Sequence, residues 1–536
     1  MLRLCDAATP VPRRGFLRQA THLAAATALP RWAWSQTRLR HDPFGLGVAS
    51  GDPTPDGVVL WTRLLPEDPL QALSPQTVHW ELADDPGFRR IVRRGQASAE
   101  PHWGHSVHVE LTGLAPDRWY HYRFWHGDAV STPGRTRTAP ADDAMPAAVR
   151  IAFASCQRWE HGHYAAWRHV AADHPDLVLF LGDYLYEYAS PKDSSGLART
   201  HPLRHASTLA DFRDRYALYK SDPQLQAAHA SCPWAVVWDD HEVQNDYAGA
   251  LGRGDPTHFL ALRSAAWQAF YENMPLRASS LEASGFHSLQ LYRRLRWGRL
   301  AHLHLLDSRQ YRSRQACRPS DSSSAPAVRP QDCGALSEAQ RSLLGPAQEH
   351  WLGAGLAADA RPGATVWTVL AQQTLFSPRR YPSGVVSSDS WDGYPAARSR
   401  LLQAIAGHAP RNTVLLGGDI HQNYVCQVRA AGAPPDTASP GAVIASEFCG
   451  TSLTSRSGST QAQVDAIVRQ NPHVLLARCE QRGYGLADLT PQRWTTHLRV
   501  LDDPLQEDSS ARTLARFVVE EGRPGPVLDG AESQNR

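Results

Sequence analysis

The sequence predicts an α/β protein preceded by an all-β domain, and three observations carry that prediction. From about residue 149 onward, near-continuous apolar runs such as "VRIAFASC", "LVLFLGDYLYEY" and "NTVLLGGDIHQNY" alternate with stretches of helical spacing, the pattern of buried strands with helices packed outside them. From about 45 to 138 the runs are instead short, aromatic and β-branched, alternate with polar residues and are separated by turn residues. Between the two lies "TAPADDAMPAA", residues 138–148, rich in Pro, Ala and Asp and without period, which marks a domain boundary. At 536 residues the chain has ample capacity to bury a large sheet.

In chain order, residues 1–36 read as a twin-arginine export signal. Arg13 and Arg14 precede Gly15, Phe16 and Leu17, then come an Ala-rich run, Pro30, and the small residues Ala33 and Ser35 at a spacing a signal peptidase accepts. The competing reading is a basic amphipathic tail. The export reading makes the Tat machinery a partner and places the mature chain in the periplasm or outside the cell. No later stretch reaches the roughly 18 apolar residues of a membrane span, so no stable membrane anchor is expected. Residues 37–140 form the β domain, in which "LTGLAPDRWYHYRF" resembles the strand, turn and Tyr-rich strand of fibronectin type III or immunoglobulin-like sandwiches. Residues 141–520 form the main domain and 521–536 a tail. Within the main domain "HGHYAAWRHVAADHPD" has helical spacing, and "RSAAWQAFYENMPL" reads as an amphipathic helix with Trp267, Phe270 and Tyr271 toward the core. "RWTTHLRVL" and "ARTLARFVVEEG" alternate and predict a hairpin at one sheet's end.

Composition narrows the function. Lys plus Arg is 55 against 53 for Asp plus Glu, so no global field holds nucleic acid. The 25 histidines lean toward metal or proton-transfer chemistry. Of 8 cysteines, Cys5 lies in the signal, and Cys232, Cys426, Cys449 and Cys479 sit in apolar runs as inert thiols. Cys317 and Cys333 bracket a Ser/Pro-rich loop that buries little, where an oxidising compartment favours a staple, although sequence alone does not assign connectivity.

The chemistry gathers at strand ends. Five apolar runs stop on Cys156; on Asp183 with Tyr186; on Asp239, Asp240 and His241; on Asp307 with Arg309; and on Asp419 with His421. In open α/β sheets the carboxyl ends of strands are where ligands bind. Each residue alone has a structural reading, as a turn, a helix cap or a satisfied core histidine. Together they form a site. A two-metal hydrolytic centre needs ions about 3.5 to 4 Å apart sharing a carboxylate, and Asp183, after a glycine that admits close backbone approach, is the natural bridge. His421 can face one ion while Asp419 faces the other, and His241 is placed to meet a leaving-group or phosphoryl oxygen.

"GDYLYEY", "WDDHEVQNDYAG", "LDSRQYR", "GGDIHQNY" and "SEFCGTSLTS", with "GVASGDPTPDGVVLWTRL" in front, resemble the PhoD-like alkaline phosphatase and phosphodiesterase family of the calcineurin-like metallophosphoesterases, over about residues 45–515. The resemblance implies a four-layer α/β/β/α metallophosphoesterase sandwich behind an immunoglobulin-like domain, and alkaline hydrolysis of phosphate mono- or diesters by metal-activated hydroxide. The chain departs from the wider superfamily as this family does. Cys156 stands at the end of the first strand where an Asp-x-His motif is usual, Asp240 where Asn is usual, and Asp419 where the first histidine of the last motif is usual. Thiolate, phenolate and imidazole favour Fe(III), whereas carboxylates and carbonyls favour Ca(II), the same pair of ions the resemblance implies. Carried over by position, Cys156, Asp183, Tyr186 and His421 hold iron, and Asp183, Asp240 and Asp419 hold calcium, with Asn245 or Asp307 as extra ligands. His241, Asp183 and Arg309 are the expected catalytic residues, and a monomer is expected.

Arg158, His161 and His163 are further candidates for substrate phosphate, against a packed or salt-bridged role, and "SEFCGTSLTSRSGS" reads either as a polar loop or as hydroxyls near the site. An alternative enzyme reading is a phosphodiesterase of phospholipase D type acting on lipid head groups or wall polymers. A non-enzymatic alternative is a cell-surface binding protein, drawn from the aromatic β domain.

Overall fold

The computed structural model describes residues 39–530, apart from 67, 283–284, 321, 323, 409, 411 and 431–440. The expected export signal lies outside the described residues. Two large mixed sheets dominate, one of ten strands and one of seven. At the centre of the first, Val149–Ala154, Leu177–Phe180 and Trp234–Val236 run parallel, with Phe180 facing Ala154 on one side and Val236 on the other. They are short and, apart from Arg150 near the start of the first, apolar and buried, as strands covered on both faces must be.

Further strands extend this sheet on both flanks, all antiparallel to their neighbours except Val48–Thr54, which joins Trp234–Val236 in parallel. On one side Gly483–Leu489 pairs with Val149–Ala154, followed by the expected hairpin of Arg493–Leu501 and Ala511–Glu520. Arg523–Leu528, in the stretch read as a tail, adds the edge strand. On the other side come Val48–Thr54, Gly57–Arg63 and Ser106–Leu111 from the N-terminal segment. The remaining N-terminal strands, among them Gln76–Ala83, Ile91–Ala99 and Trp119–His126, form a separate five-stranded sheet. Val58, Leu60 and Val107 pack against Val78, Leu82, Tyr122 and Phe124 in one core, so the N-terminal β domain shares a sheet with the main domain. The join is made at Gly51, paired with Trp234, where a Cβ would lie 2.7 Å from the Trp234 carbonyl oxygen and 2.6 Å from that of Pro275.

The second sheet has parallel strands Ala301–Leu305, Trp367–Ala371, Thr413–Gly417 and Val443–Cys449 at its centre. One core joins the two sheets face to face, with Phe153, Leu179 and Val237 of the first against Leu303, Val369 and Leu416 of the second. Helices Ala165–Ala172, Leu209–Lys220, Pro223–Ser231 and Pro256–Asn273 supply the core on the first sheet's outer face, where Trp267, Phe270 and Tyr271 are buried as expected. Pro346–Asp359 and Pro395–His408 do the same for the second. Cys317 and Cys333 form a disulfide, while Cys156, Cys232, Cys426, Cys449 and Cys479 are buried thiols.

Candidate metal centre

The parallel strands of both sheets end at one place, and the backbone there is forced into unusual conformations. Cys156, Asp183, Asp419 and His421 all have left-handed φ, at 58°, 56°, 64° and 55°. Such a conformation costs a non-glycine residue about 1 kcal/mol or more and persists where surrounding structure demands it. Gly182 has φ 108°, and a Cβ there would lie 2.6 Å from the Asp239 amide nitrogen. Only glycine lets these two strand ends approach so closely. The buried Glu242 carboxylate then staples them, accepting from the amides of Asp183 (3.1 Å), Tyr184 (2.5 Å) and Asp239 (2.8 Å).

One side of the site is thiol, phenol and imidazole. Ligand atoms of Cys156, Asp183 and His421 all lie within 4.8 Å of one another. Tyr186 Oη donates to Asp183 Oδ2 (2.9 Å) and lies 3.1 Å from His421 Nε2. His421 Nδ1 donates to the Arg456 carbonyl (2.9 Å), which leaves Nε2 as the unprotonated nitrogen beside Tyr186 Oη. Burial pushes the Cys156 thiol and the Tyr186 phenol up, and holds His421 down at about 3, so the imidazole is a neutral donor. Ser455 Oγ lies 2.7 Å from Tyr186 Oη and donates to the Cys156 carbonyl at 2.8 Å, which brings the "SEFCGTSLTS" loop to the site.

The other side is carboxylate. Oxygens of Asp239, Asp240 and Asp419 also lie within 4.8 Å of one another, and Asp183, Asp240 and His241 form a third such group that links the two sides. Asp239 Oδ2 and Asp240 Oδ1 are buried without a hydrogen-bond partner. Burial and neighbouring acids raise Asp183, while Asp419 is pushed up to about 6 by burial. Carboxylate oxygens without a hydrogen-bond partner, beside a thiol, a phenol and an unprotonated imidazole nitrogen, are a donor set that fits one strongly Lewis-acidic transition-metal ion and one cation that prefers oxygen ligands. At its edge His241 Nδ1 sits 2.7 Å from Glu187 Oε2. Burial pushes His241 down, but the charges of Glu187, Asp183 and Asp240 outweigh it and hold the imidazole protonated well above its usual range.

The structure thus brings together Cys156, Asp183, Tyr186, Asp240, His241, Asp419 and His421. It places two expected residues, Asp307 and Arg309, differently. Asp307 Oδ1 accepts from the amides of Arg309 (3.0 Å) and Gln310 (2.9 Å), and Oδ2 from Gln310 Nε2 (3.1 Å), so this carboxylate closes its own turn instead of joining a ligand group. The backbone amide of Asn245 donates to Glu187 Oε1 at 3.0 Å, which sets this residue beside the Glu187–His241 pair. Arg309 is not exposed for substrate. Its side chain is 1% exposed, bonded to Asp239 and Asp389 and within 3.4 Å of Asp240 and 3.9 Å of Asp419, because it is the counter-charge to those acids. Sequence reasoning missed Glu187, Glu242 and Asp389 and left Asp239 without a role. Glu187, four residues after Asp183 in "GDYLYEY", carried a readable signal; Asp389, in a Ser-rich loop, carried none.

Comparison with known proteins fits this geometry. The model of the PhoD-like phosphatase family matches residues 151–498, and that of the PhoD-like phosphatase N-terminal domain matches residues 29–140. The chain belongs to the PhoD-like phosphatase family. It is 41% identical over 503 residues to alkaline phosphatase D of Bacillus subtilis (strain 168), covering 90% of this chain and 82% of that protein. A solved structure described as that of PhoD superposes with a TM-score of 0.84 at 40% identity, covering 92% of this chain and 93% of the other. This PhoD-like chain is therefore a phosphoesterase, built as an α/β fold with an N-terminal β domain.

Proposed function

We propose that this phosphoesterase is an exported alkaline phosphatase that hydrolyses phosphate esters at an Fe(III)/Ca(II) centre. The observation that carries the reading is the shared Asp183, with a thiol, phenol and imidazole on one side and the orphaned oxygens of Asp239 and Asp240 on the other. Cys156, Asp183, Tyr186 and His421 hold the iron; Asp183, Asp240 and Asp419 hold the calcium, with Asn245 beside them. When bound, the ions supply Lewis acidity and a water acidified for attack on phosphorus.

The chain's own groups do the rest. Glu187 fixes the His241 ring through Nδ1 and favours its protonated form, so Nε2–H can donate to a phosphoryl oxygen or to the departing alkoxide. Arg309 neutralises Asp239 and Asp389, which allows several acids to stay ionised in a buried site. The two face-packed sheets with helices on their outer faces are read as a four-layer α/β/β/α sandwich over residues 141–520, behind a β domain at 37–140. Export by a twin-arginine signal at 1–36, a periplasmic or secreted location and a monomeric state complete the reading.

The test is metal analysis and a visible spectrum on protein exported by its own signal, with rates on an aryl monophosphate and its bis-aryl diester. Iron and calcium, a tyrosinate band in the visible and a faster monoester reaction are expected. A colourless, iron-free preparation with full activity overturns the iron, and a faster diester reaction moves the function to a phosphodiesterase.

A further inference from the structure

The disulfide lies far from the ligands in sequence, yet the segment it closes grips the carboxylate side of the centre. Asp246 is the link. Its amide donates to Asp240 Oδ2 at 2.7 Å, so it fixes the ligand's orientation, and its φ of 54° holds that amide in place. Asp246 is itself held by the disulfide-closed segment and by Gln315, two residues before Cys317. Ala325 N donates to Asp246 Oδ2 at 2.7 Å, Gln315 Nε2 donates to the Asp246 carbonyl at 2.9 Å, and Arg318, next to Cys317, donates to the same carbonyl. The segment also pairs with the strand that leads to a second acid of the site, and Gln315 touches that acid directly. Ala327 and Val328 pair with Ser387 and Val386, the Ser388 amide donates to the Pro326 carbonyl at 3.1 Å, and Gln315 Nε2 lies 2.7 Å from Asp389 Oδ1. Asp389 is the acid that shares Arg309 with Asp239. Cys333 anchors the far end in a small core with Ala316 and Leu336, packed by Val328 and Val386.

We propose that Asp246 is a positioning residue for Asp240, and that the Cys317–Cys333 disulfide governs it by clasping Asp246 and Asp389 against the carboxylate side of the centre. With the bond closed, Asp240 Oδ2 is pinned and its Oδ1 is left for the cation. Reduction of the bond by a phosphine, in which phosphorus gives up two electrons and takes the oxygen of a water to become the phosphine oxide while the S–S bond breaks and the two sulfurs take up that water's two protons as thiols, frees the segment and loosens that half alone. No residue of the clasp touches Cys156, Tyr186 or His421 in the recorded hydrogen bonds among the described residues, so the thiol–phenol half stays as it is. An oxidising compartment thereby completes hard-cation binding.

The inference rests on the reading that the carboxylate side holds a divalent cation. Its test uses the full chain with Cys317→Ser/Cys333→Ser, Asp246→Ala and their combination, and measures calcium by equilibrium dialysis alongside iron content and the visible band. The serine pair avoids thiol reductants, which compete for iron. The serine pair and Asp246→Ala are each expected to weaken calcium retention about tenfold with iron unchanged, and the combination to be no worse than either alone, because both act through one route. Thermal melting separates this from a merely structural staple, which would lower the melting temperature at unaltered calcium affinity. Calcium held equally by wild type and the serine pair overturns the clasp; additive losses overturn the route through Asp246. A wild-type protein that binds no divalent cation overturns the reading of the centre and the clasp with it.

Discussion

Among the described residues, two buried clusters have histidines and acids at ligand-like spacing, and they differ in how much of their polar demand is met. His302, His304 and Asp359 lie within 4.8 Å of one another, as do the groups of the centre. In that cluster both Asp359 oxygens and both ring nitrogens of His304 find partners locally. His302 Nδ1 and His304 Nε2 sit 2.5 and 2.8 Å from the two Asp359 oxygens, Thr368 Oγ1 donates to Oδ2 at 3.2 Å, and Arg294 Nε donates to His304 Nδ1 at 3.3 Å. His302 and His304 on one strand, Thr368 and Arg294 on its two neighbours and Asp359 at a helix end tie one helix to one sheet. The centre is the reverse, with left-handed backbone at Cys156, Asp183, Asp419 and His421 and orphaned oxygens on Asp239 and Asp240. Spacing therefore does not distinguish a site from a strut. Unmet polar demand, concentrated where backbone strain is tolerated, does.

The sharpest way to break this contrast is to remove one acid from each cluster. Asp183→Asn is expected to cut phosphoester turnover by at least ~10³ and to strip both metals, since this carboxylate belongs to both halves of the centre. The metal-free variant should melt no lower than metal-free wild type, because burial and the charges of Asp240, Glu242 and Asp419 all oppose an ionised Asp183. A large loss of metal-free stability would make Asp183 a strut after all. Asp359→Ala should do the opposite. It leaves two buried histidines without their acceptor and should cost about 3 kcal/mol of stability in chemical unfolding, while turnover per folded molecule and metal content stay unchanged. Lost metal in Asp359→Ala would erase the distinction.

The sequence made the centre's location legible because apolar runs that stop on acids are visible without any structure. It could not tell which acids face inward. Asp307 in "LLDSRQ" and Asp183 in "FLGDYL" carry the same signal, yet Asp307 caps the amides of its own turn. In the Asp239–Asp240 doublet no local pattern shows that both side chains turn into the site. Arg309 was legible as a charge at a strand end, and its role was not, because its partners Asp239 and Asp389 are 70 and 80 residues away in the chain. The sheet's continuity into the N-terminal domain was hidden for the same reason. The Gly51–Trp234 pairing leaves no periodicity, and the turn-rich linker at 138–148 read as a clean break.

Lys220 supplies a third case, a buried charge with neither a carboxylate clasp nor a ligand role, and it gives the smallest effect. Its side chain is buried, with the ammonium 4.1 Å from the Trp61 ring centre and 5.5 Å from that of Tyr184. Burial, with the nearby Arg63 charge adding to it, pushes its pKa down to about 7 from the free value of 10.5. Between those two pH values the unfolded chain binds a proton that the folded chain does not, so this group makes stability rise with pH across that window. The penalty is fully present below about pH 7 and is relieved toward pH 10. Lys220→Met keeps the length and apolar bulk of the side chain and should stabilise the protein by on the order of 2 kcal/mol near pH 6, less than desolvation alone would give because the aromatic faces offset part of it. The gain should shrink steadily as unfolding is measured toward pH 10. A gain that is the same at both pH values would mean that Lys220 stays charged in the fold, and that aromatic rings alone can satisfy a buried cation as fully as Asp359 satisfies its two histidines.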